Sequence, residues 1–165
     1  MQDERHVLST SEDQSCLELR RAKRDAIHLL IVDNHAKYRA ELRRLLQDEP
    51  DIAICGEAQN QAEAMRLARK KKPDVILMDL ELAEDNSVQA VRDLCIEQPF
   101  SRIILMVLHY DAGLVLEGLR AGAWAHISKF SPPVEFAKVV RGVHRGMTCV
   151  DSQIMGRILD ELKLS

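Results

Sequence analysis

Three short apolar runs in this chain each end on a single charged residue. Leu29-Leu30-Ile31-Val32 ends on Asp33, Val75-Ile76-Leu77-Met78 on Asp79, and Ala125-His126-Ile127-Ser128 on Lys129. A run of four or five Val, Ile and Leu residues reads as a strand buried on both faces. A charge at its carboxyl end sits where the chain leaves the core. Three strands ending this way bring two carboxylates and one ammonium to one edge of one sheet, and that edge is the candidate site.

Around these runs the pattern alternates with little slack. It predicts strands over 28–33, 51–55, 74–78, 102–107 and 125–128. Helices are predicted over Lys37–Gln47, Gln61–Lys71, Val88–Glu97, Ala112–Ala121 and Pro133–Arg145. Strand-helix alternation of this kind argues for an α/β fold, a doubly wound parallel sheet with helices on both faces. Tyr38, Leu42, Leu45 and Leu46 recur at helical spacing as an inward stripe in the first helix. Val134, Ala137, Val140 and Val143 do the same in the fifth. Gly122 suits a left-handed C-cap, and Pro132-Pro133 a helix start, where a missing amide costs little.

Residues 1–26 are polar and read as a flexible leader, 27–147 as one α/β domain, and 148–165 as a linker and helix. In that last segment Asp151 or Ser152 can cap a helix carrying Ile154, Met155, Ile158, Leu159 and Leu162. Its apolar stripe must be hidden against the domain, a second copy or another neighbour, which favours a homodimer or a partner protein.

A net charge of −3 and a pI near 6.1 give no pull towards nucleic acid or an anionic membrane. The basic run Arg66, Arg69, Lys70, Lys71, Lys72 reads as a solvated helix end, and Trp124 as a packing residue or a partner contact rather than a ligand-stacking one. No apolar stretch approaches the ~20 residues of a membrane span, and the polar, acidic start is neither a signal nor a transit peptide. These features predict a cytoplasmic protein with no membrane contact and no direct nucleic-acid binding by this segment. Cys16, Cys55, Cys95 and Cys149 are far apart and read as free, mostly buried thiols, with no metal-ligand spacing among them or the six histidines. No Asp-x-Asp pair, Gly-rich phosphate loop or Ser/His/Asp set is present, so the chain does not read as an enzyme.

The ordered set of Leu29 to His35, Pro73 to Leu80, Glu117 to Ala123, Lys129 with Pro132-Pro133, and Val139 to Gly146 resembles the receiver domain of two-component response regulators, NarL/LuxR type. The resemblance covers about residues 28–150 and implies a flavodoxin-like (βα)5 fold with strand order 2-1-3-4-5. It places Asp79 at the phosphoacceptor position, where a carboxylate attacks a phosphoryl donor. It places Asp33, Asn34, Asp79 and the backbone carbonyl of Glu81 around Mg²⁺, and Lys129 against the phosphoryl group. It also implies a histidine kinase as partner.

Four positions depart from the family pattern. Asn34 stands where a second acid is usual, and an amide oxygen is a poorer Mg²⁺ ligand, so Mg²⁺ binding should be weakened. Val107 replaces the switch hydroxyl and cannot hydrogen-bond. A hydrogen bond to a charged group contributes ~1.5–3 kcal/mol, hence roughly tenfold to a hundredfold in an equilibrium. Without that hydroxyl, residue 107 has no differential affinity with which to bias two states. His126 replaces the aromatic switch residue and reads as a partly buried, satisfied histidine, with pH sensing as the sharper alternative. The loop from Glu81 to Ser87 lacks the usual Pro and Gly, and Glu81, Glu84 and Asp85 oppose an incoming phosphate donor. The expectation is an atypical receiver working as a signalling and protein-interaction module, with Asp33 paired to Lys129 and phosphorylation of Asp79 weak or absent. The alternative is a working phosphoreceiver that accepts phosphate on Asp79 and controls a helix-turn-helix output outside this sequence.

Overall fold

The computed structural model describes residues 25–82 and 86–165. The elements run β1 (Ile27–Val32), α1 (Ala36–Leu46), β2 (Ile52–Ala58), α2 (Gln61–Lys71), β3 (Val75–Asp79) and α3 (Ser87–Glu97). They continue with β4 (Arg102–Val107), α4 (Ala112–Arg120), β5 (Ala125–Ser128), α5 (Pro133–His144) and α6 (Ser152–Leu164). The five strands form one sheet in the order β2-β1-β3-β4-β5, every neighbouring pair parallel. This is the flavodoxin-like receiver fold with an added C-terminal helix.

The central runs are apolar throughout because alternate residues enter two different cores. Leu30, Val32, Ile76, Met78 and Leu105 face one layer with Ala64 and Ala68 of α2, Leu94 of α3 and Val115 of α4. Leu29, Ile31, Leu77 and Ile104 face the other with Leu42 and Leu46 of α1 and Phe136 and Val140 of α5. Asp74 ties β3 to β1 by accepting from the His28 amide at 2.7 Å. Arg141 of α5 clamps Asp51 at the start of β2, at 2.7 and 2.8 Å, and also pairs with Glu49. Trp124 lies under the Arg102 guanidinium, 4.5 Å from ring centroid to Cζ.

The structure corrects several boundaries and one stripe. β2 runs on to Ala58, past the expected end at Cys55. Its pairing with β1 resumes after a register shift that sets Leu29 opposite Ile54 and Leu30 opposite Gly56. Val134 is 67% exposed rather than inward, and Phe136 takes the buried place in the first turn of α5. Gly122 has φ +124°, as a helix-stopping glycine should. Pro132 and Pro133 stand at the N-cap and first turn of α5. The stripe of α6 splits: Ile154 is fully buried and Ile158 partly so, while Met155, Leu159 and Leu162 are 40, 47 and 66% exposed. Nearly all of the expected leader, residues 1–24, lies outside the described residues, as do Cys16, Glu84 and Asp85. Cys55, Cys95 and Cys149 are free thiols, half-buried rather than mostly buried. Among the described residues no helix is long and apolar enough to cross a membrane.

Candidate functional site at the carboxyl edge of the sheet

Asp33 follows β1, Asp79 closes β3 and Lys129 follows β5. Parallel strands of matched register bring all three to one edge. Backbone bonds fix the loops that carry them: the Asp33 amide donates to Ala58 O at 3.0 Å, and the Lys129 amide to Val107 O at 2.8 Å. The Lys129 side chain crosses the edge. Its Nζ stands 2.6 Å from Asp33 Oδ2 and 2.9 Å from Asp79 Oδ2, with both carboxylates fully buried and the lysine side chain 5% exposed. Neither Oδ2 receives a hydrogen bond of good direction, so attraction to the ammonium is what holds them. The expected Asp33–Lys129 pair is present, widened to a triad.

The other carboxylate oxygens are better served. Asp33 Oδ1 accepts from the His35 amide at 2.7 Å, and Asp79 Oδ1 from the Glu81 amide at 3.0 Å. Burial pushes the Asp79 carboxyl above its ordinary pKa. Lys129 and the Glu81 amide pull the other way without cancelling it, and Asp33 adds to the rise. Two carboxylates facing one ammonium leave a buried site with one net negative charge.

Tyr38, assigned from its spacing to the apolar stripe of α1, belongs to the site. Its ring centroid lies 4.9 Å from Lys129 Nζ, and its hydroxyl donates to Lys129 O at a long 3.4 Å. Burial, then the charges of Asp33 and Asp79, raise its phenol well above the ordinary value. His35 is a second addition. Its ring, with Asp33 and Asp79, offers donor atoms that all lie within 4.8 Å of one another. Both residues follow Asp33 closely in sequence, but only the turn into α1 shows that they face Lys129 and Asp79.

Val107 is 3% exposed at the end of β4 and offers the edge no side-chain hydrogen bond. The described ends of the loop from Glu81 to Ser87 are held by amides and side chains. The Glu81 amide bonds to Asp79, the Leu82 amide donates to Ser87 Oγ at 3.3 Å, and Asn86 caps α3 by accepting from the Gln89 amide. The Glu81 carboxylate is engaged by His109, accepting from its amide at 3.1 Å with Nδ1 at 3.2 Å. His126 does not join the triad. Its side chain is 9% exposed and pairs with Asp151 at 3.1 Å.

The oxygen set suits a hard divalent cation. Asp33 Oδ2, Asn34 Oδ1 and Asp79 Oδ2 are buried and receive no hydrogen bond, and oxygen donors are what Mg²⁺ takes. Receiver domains bind Mg²⁺ at an acidic pocket of this kind.

The sequence matches the response regulator receiver domain model over residues 29–141. It is 33% identical over 139 residues to the transcriptional regulatory protein LiaR of Bacillus subtilis, covering 84% of this chain and 66% of that one. It is 31% identical over 128 residues to the response regulator UvrY of Escherichia coli K12, covering 78% and 59%. The crystal structure of a LuxR-family two-component response regulator from Aurantimonas sp. superposes with a TM-score of 0.74 at 29% identity, covering 82% and 97%. The chain thus spans about three fifths to two thirds of the length of these two curated relatives. It belongs to the response regulator receiver domain family, the signalling modules of two-component systems.

Proposed function

We propose that this receiver works as a protein-interaction module of a two-component pathway, with phosphorylation of Asp79 weak or absent. One observation carries the reading: the Lys129 ammonium already bridges Asp33 and Asp79 inside the acidic pocket. To accept a phosphoryl group, an Asp79 oxygen must attack phosphorus while the bond from phosphorus to the donor's leaving group breaks. That oxygen must first be freed from an ion pair in a buried site. Val107 then supplies no hydroxyl to bond the new phosphoryl oxygens, which removes the attraction that would draw β4 towards them.

Asp33, Asn34, Asp79 and the backbone carbonyl of Glu81 are the groups that would hold Mg²⁺, with Asn34 weakening the hold. When bound, the cation supplies charge neutralisation for an incoming phosphoryl group. In this chain Lys129 already provides part of that positive charge, Tyr38 covers the ammonium, and Asp33 orients it. The expected partners are a histidine kinase upstream and a second copy or another protein downstream, without nucleic-acid contact by this segment.

The buried Asn34 Oδ1, without a donor, favours a second reading in which Mg²⁺ binds and Asp79 is a working acceptor. Intact mass after incubation with acetyl phosphate and Mg²⁺ separates the two, with Asp79→Asn as control. No adduct on the folded protein supports the interaction module. A single phosphoryl adduct missing from the control overturns it in favour of the phosphoreceiver.

A further inference from the structure

The position that a receiver ordinarily uses as its aromatic switch is joined here to the C-terminal helix. His126 Nε2 lies 3.1 Å from Asp151 Oδ2. A carboxylate can only accept, so Nε2 carries the proton and donates, leaving Nδ1 buried without a partner. The other Asp151 oxygen accepts from the Ile154 amide at 2.8 Å and caps α6. Burial pulls the Asp151 carboxyl up, but bonds from the Ile154 amide, Tyr110 and His126 outweigh it and hold the group below its ordinary value. The Tyr110 ring sits 6.1 Å from that of His126.

Three further contacts lie on the same seam. The His126 amide donates to Cys149 O at 3.1 Å, and Ala125 bridges to Cys149 in parallel, so the linker forms a short extension of the sheet beyond β5. Ile154 is fully buried in the core layer beneath α4. Arg120, the last residue of α4, pairs with Glu161. A cavity of about 160 Å³ lined by Val107, Tyr110, His126 and Asp151 separates the end of β4 from this seam.

We propose that the pair His126–Asp151 is a latch that docks α6 and its linker on the β5 edge, so that residue 126 governs whether the C-terminal segment is held or released. The argument is one of connectivity. Among the described residues, Asp151 is the one side chain that bonds both the former switch position and the first turn of α6. Opening that contact removes a charge-assisted bond from one element and loosens the entry of the other. Release would uncover the β5 edge, the amide of residue 126 and the bed of Ile154. The latch holds whether or not Asp79 accepts a phosphoryl group, because none of its atoms belongs to the triad.

Two variants test it by amide hydrogen exchange on the full chain. His126→Phe keeps the ring and removes the Nε2 donor. Asp151→Ser keeps an N-cap oxygen and removes the carboxylate. Both are expected to speed exchange across 155–162 and at the amide of residue 126, by about tenfold or more, the effect of losing a hydrogen bond to a charged group. The double variant should add little to either single one. Unchanged exchange at residue 126 in both variants overturns the latch, even if α6 itself exchanges faster, because that pattern is fraying of a helix end. Should His126→Phe not fold, Asp151→Ser alone decides the matter by the same criterion.

Discussion

Replacing Asp79 by Asn should make the metal-free protein more stable, although it deletes half of a buried ion-pair set. The two Oδ2 atoms touch the same ammonium at 2.6 and 2.9 Å, so at most about 5.5 Å separates them. With an effective dielectric constant near 20, attraction of Asp79 to Lys129 is worth about 6 kcal/mol and repulsion from Asp33 about 3 kcal/mol. The charge on Asp79 thus gains about 3 kcal/mol from its two neighbours. Against this stands a desolvation cost of several kcal/mol for a fully buried ion. Burial is the largest influence on its pKa, and the net rise says that desolvation wins. Asn keeps the acceptor for the Glu81 amide and the shape of the side chain. A gain on the order of 1 kcal/mol follows at neutral pH, or a rise in Tm of roughly 2–4 °C.

The pH dependence carries the sign. A carboxyl with its pKa raised by folding stabilises the fold fully below the ordinary carboxylate range, and that contribution is lost as pH rises through the folded-state value. The Asn variant has no such loss. Chemical denaturation with a chelator present, at about pH 4 and about pH 8, should therefore show the advantage of Asp79→Asn growing with pH. A variant less stable than the parent at the higher pH, or a gap that does not change, would refute the reasoning.

Lys129→Met leaves two buried carboxylates without a counter-charge and should cost about 3–5 kcal/mol by denaturant unfolding, with part recovered by Asp79→Asn in the same chain. Tyr38→Leu removes the ring over the ammonium and should cost about 0.5–2 kcal/mol beyond its packing, whereas Tyr38→Phe, which gives up only a long hydroxyl contact, should cost less than about 1 kcal/mol in the same assay. Asn34→Asp adds a third carboxylate beside the two buried ones, so it should destabilise the chelator-treated protein and raise Mg²⁺ affinity, read as a larger Tm increase on adding the metal. Gly122→Ala meets both a φ of +124° and Cys95 Sγ at 2.6 Å from its Cβ, and should cost about 1–3 kcal/mol, which Cys95→Ala relieves only in part.

The sheet and its charged edge were legible because a parallel sheet buried on both faces needs uninterrupted apolar strands. The runs ending at Asp33, Asp79 and Lys129 could hardly be placed otherwise. Tyr38 was read with the apolar stripe of α1, since spacing along a helix says which face a residue shares but not what stands opposite. Lys129 is 91 residues away from it, and only the fold brings them together. Val134 and Phe136 show a related limit. Val134 keeps the period of the buried residues yet meets solvent, while Phe136 in the same turn is the residue that faces the core. The Glu81–His109 and His126–Asp151 pairs join residues 28 and 25 positions apart, the second linking β5 to the cap of α6, and no local pattern marks either.

The altered positions make joint sense as a matter of charge. With acids at both 33 and 34, three carboxylates would face one ammonium, and a buried site with two net negative charges calls for a divalent cation. With Asn34 the count is two against one, and Lys129 alone brings the pocket within one charge of neutrality. On the proposed reading, the ammonium held between both carboxylates is what fills the site. Once Lys129 is so held, a hydroxyl at residue 107 has nothing to follow, and Val fills its volume without leaving a buried donor unpaired. On that reading His126 is not tied to movement at residue 107, and its Nε2 bonds outward to Asp151, the residue that caps α6. Loss of coupling at the acceptor edge and gain of coupling at the C-terminal seam are, on this account, two sides of one rearrangement.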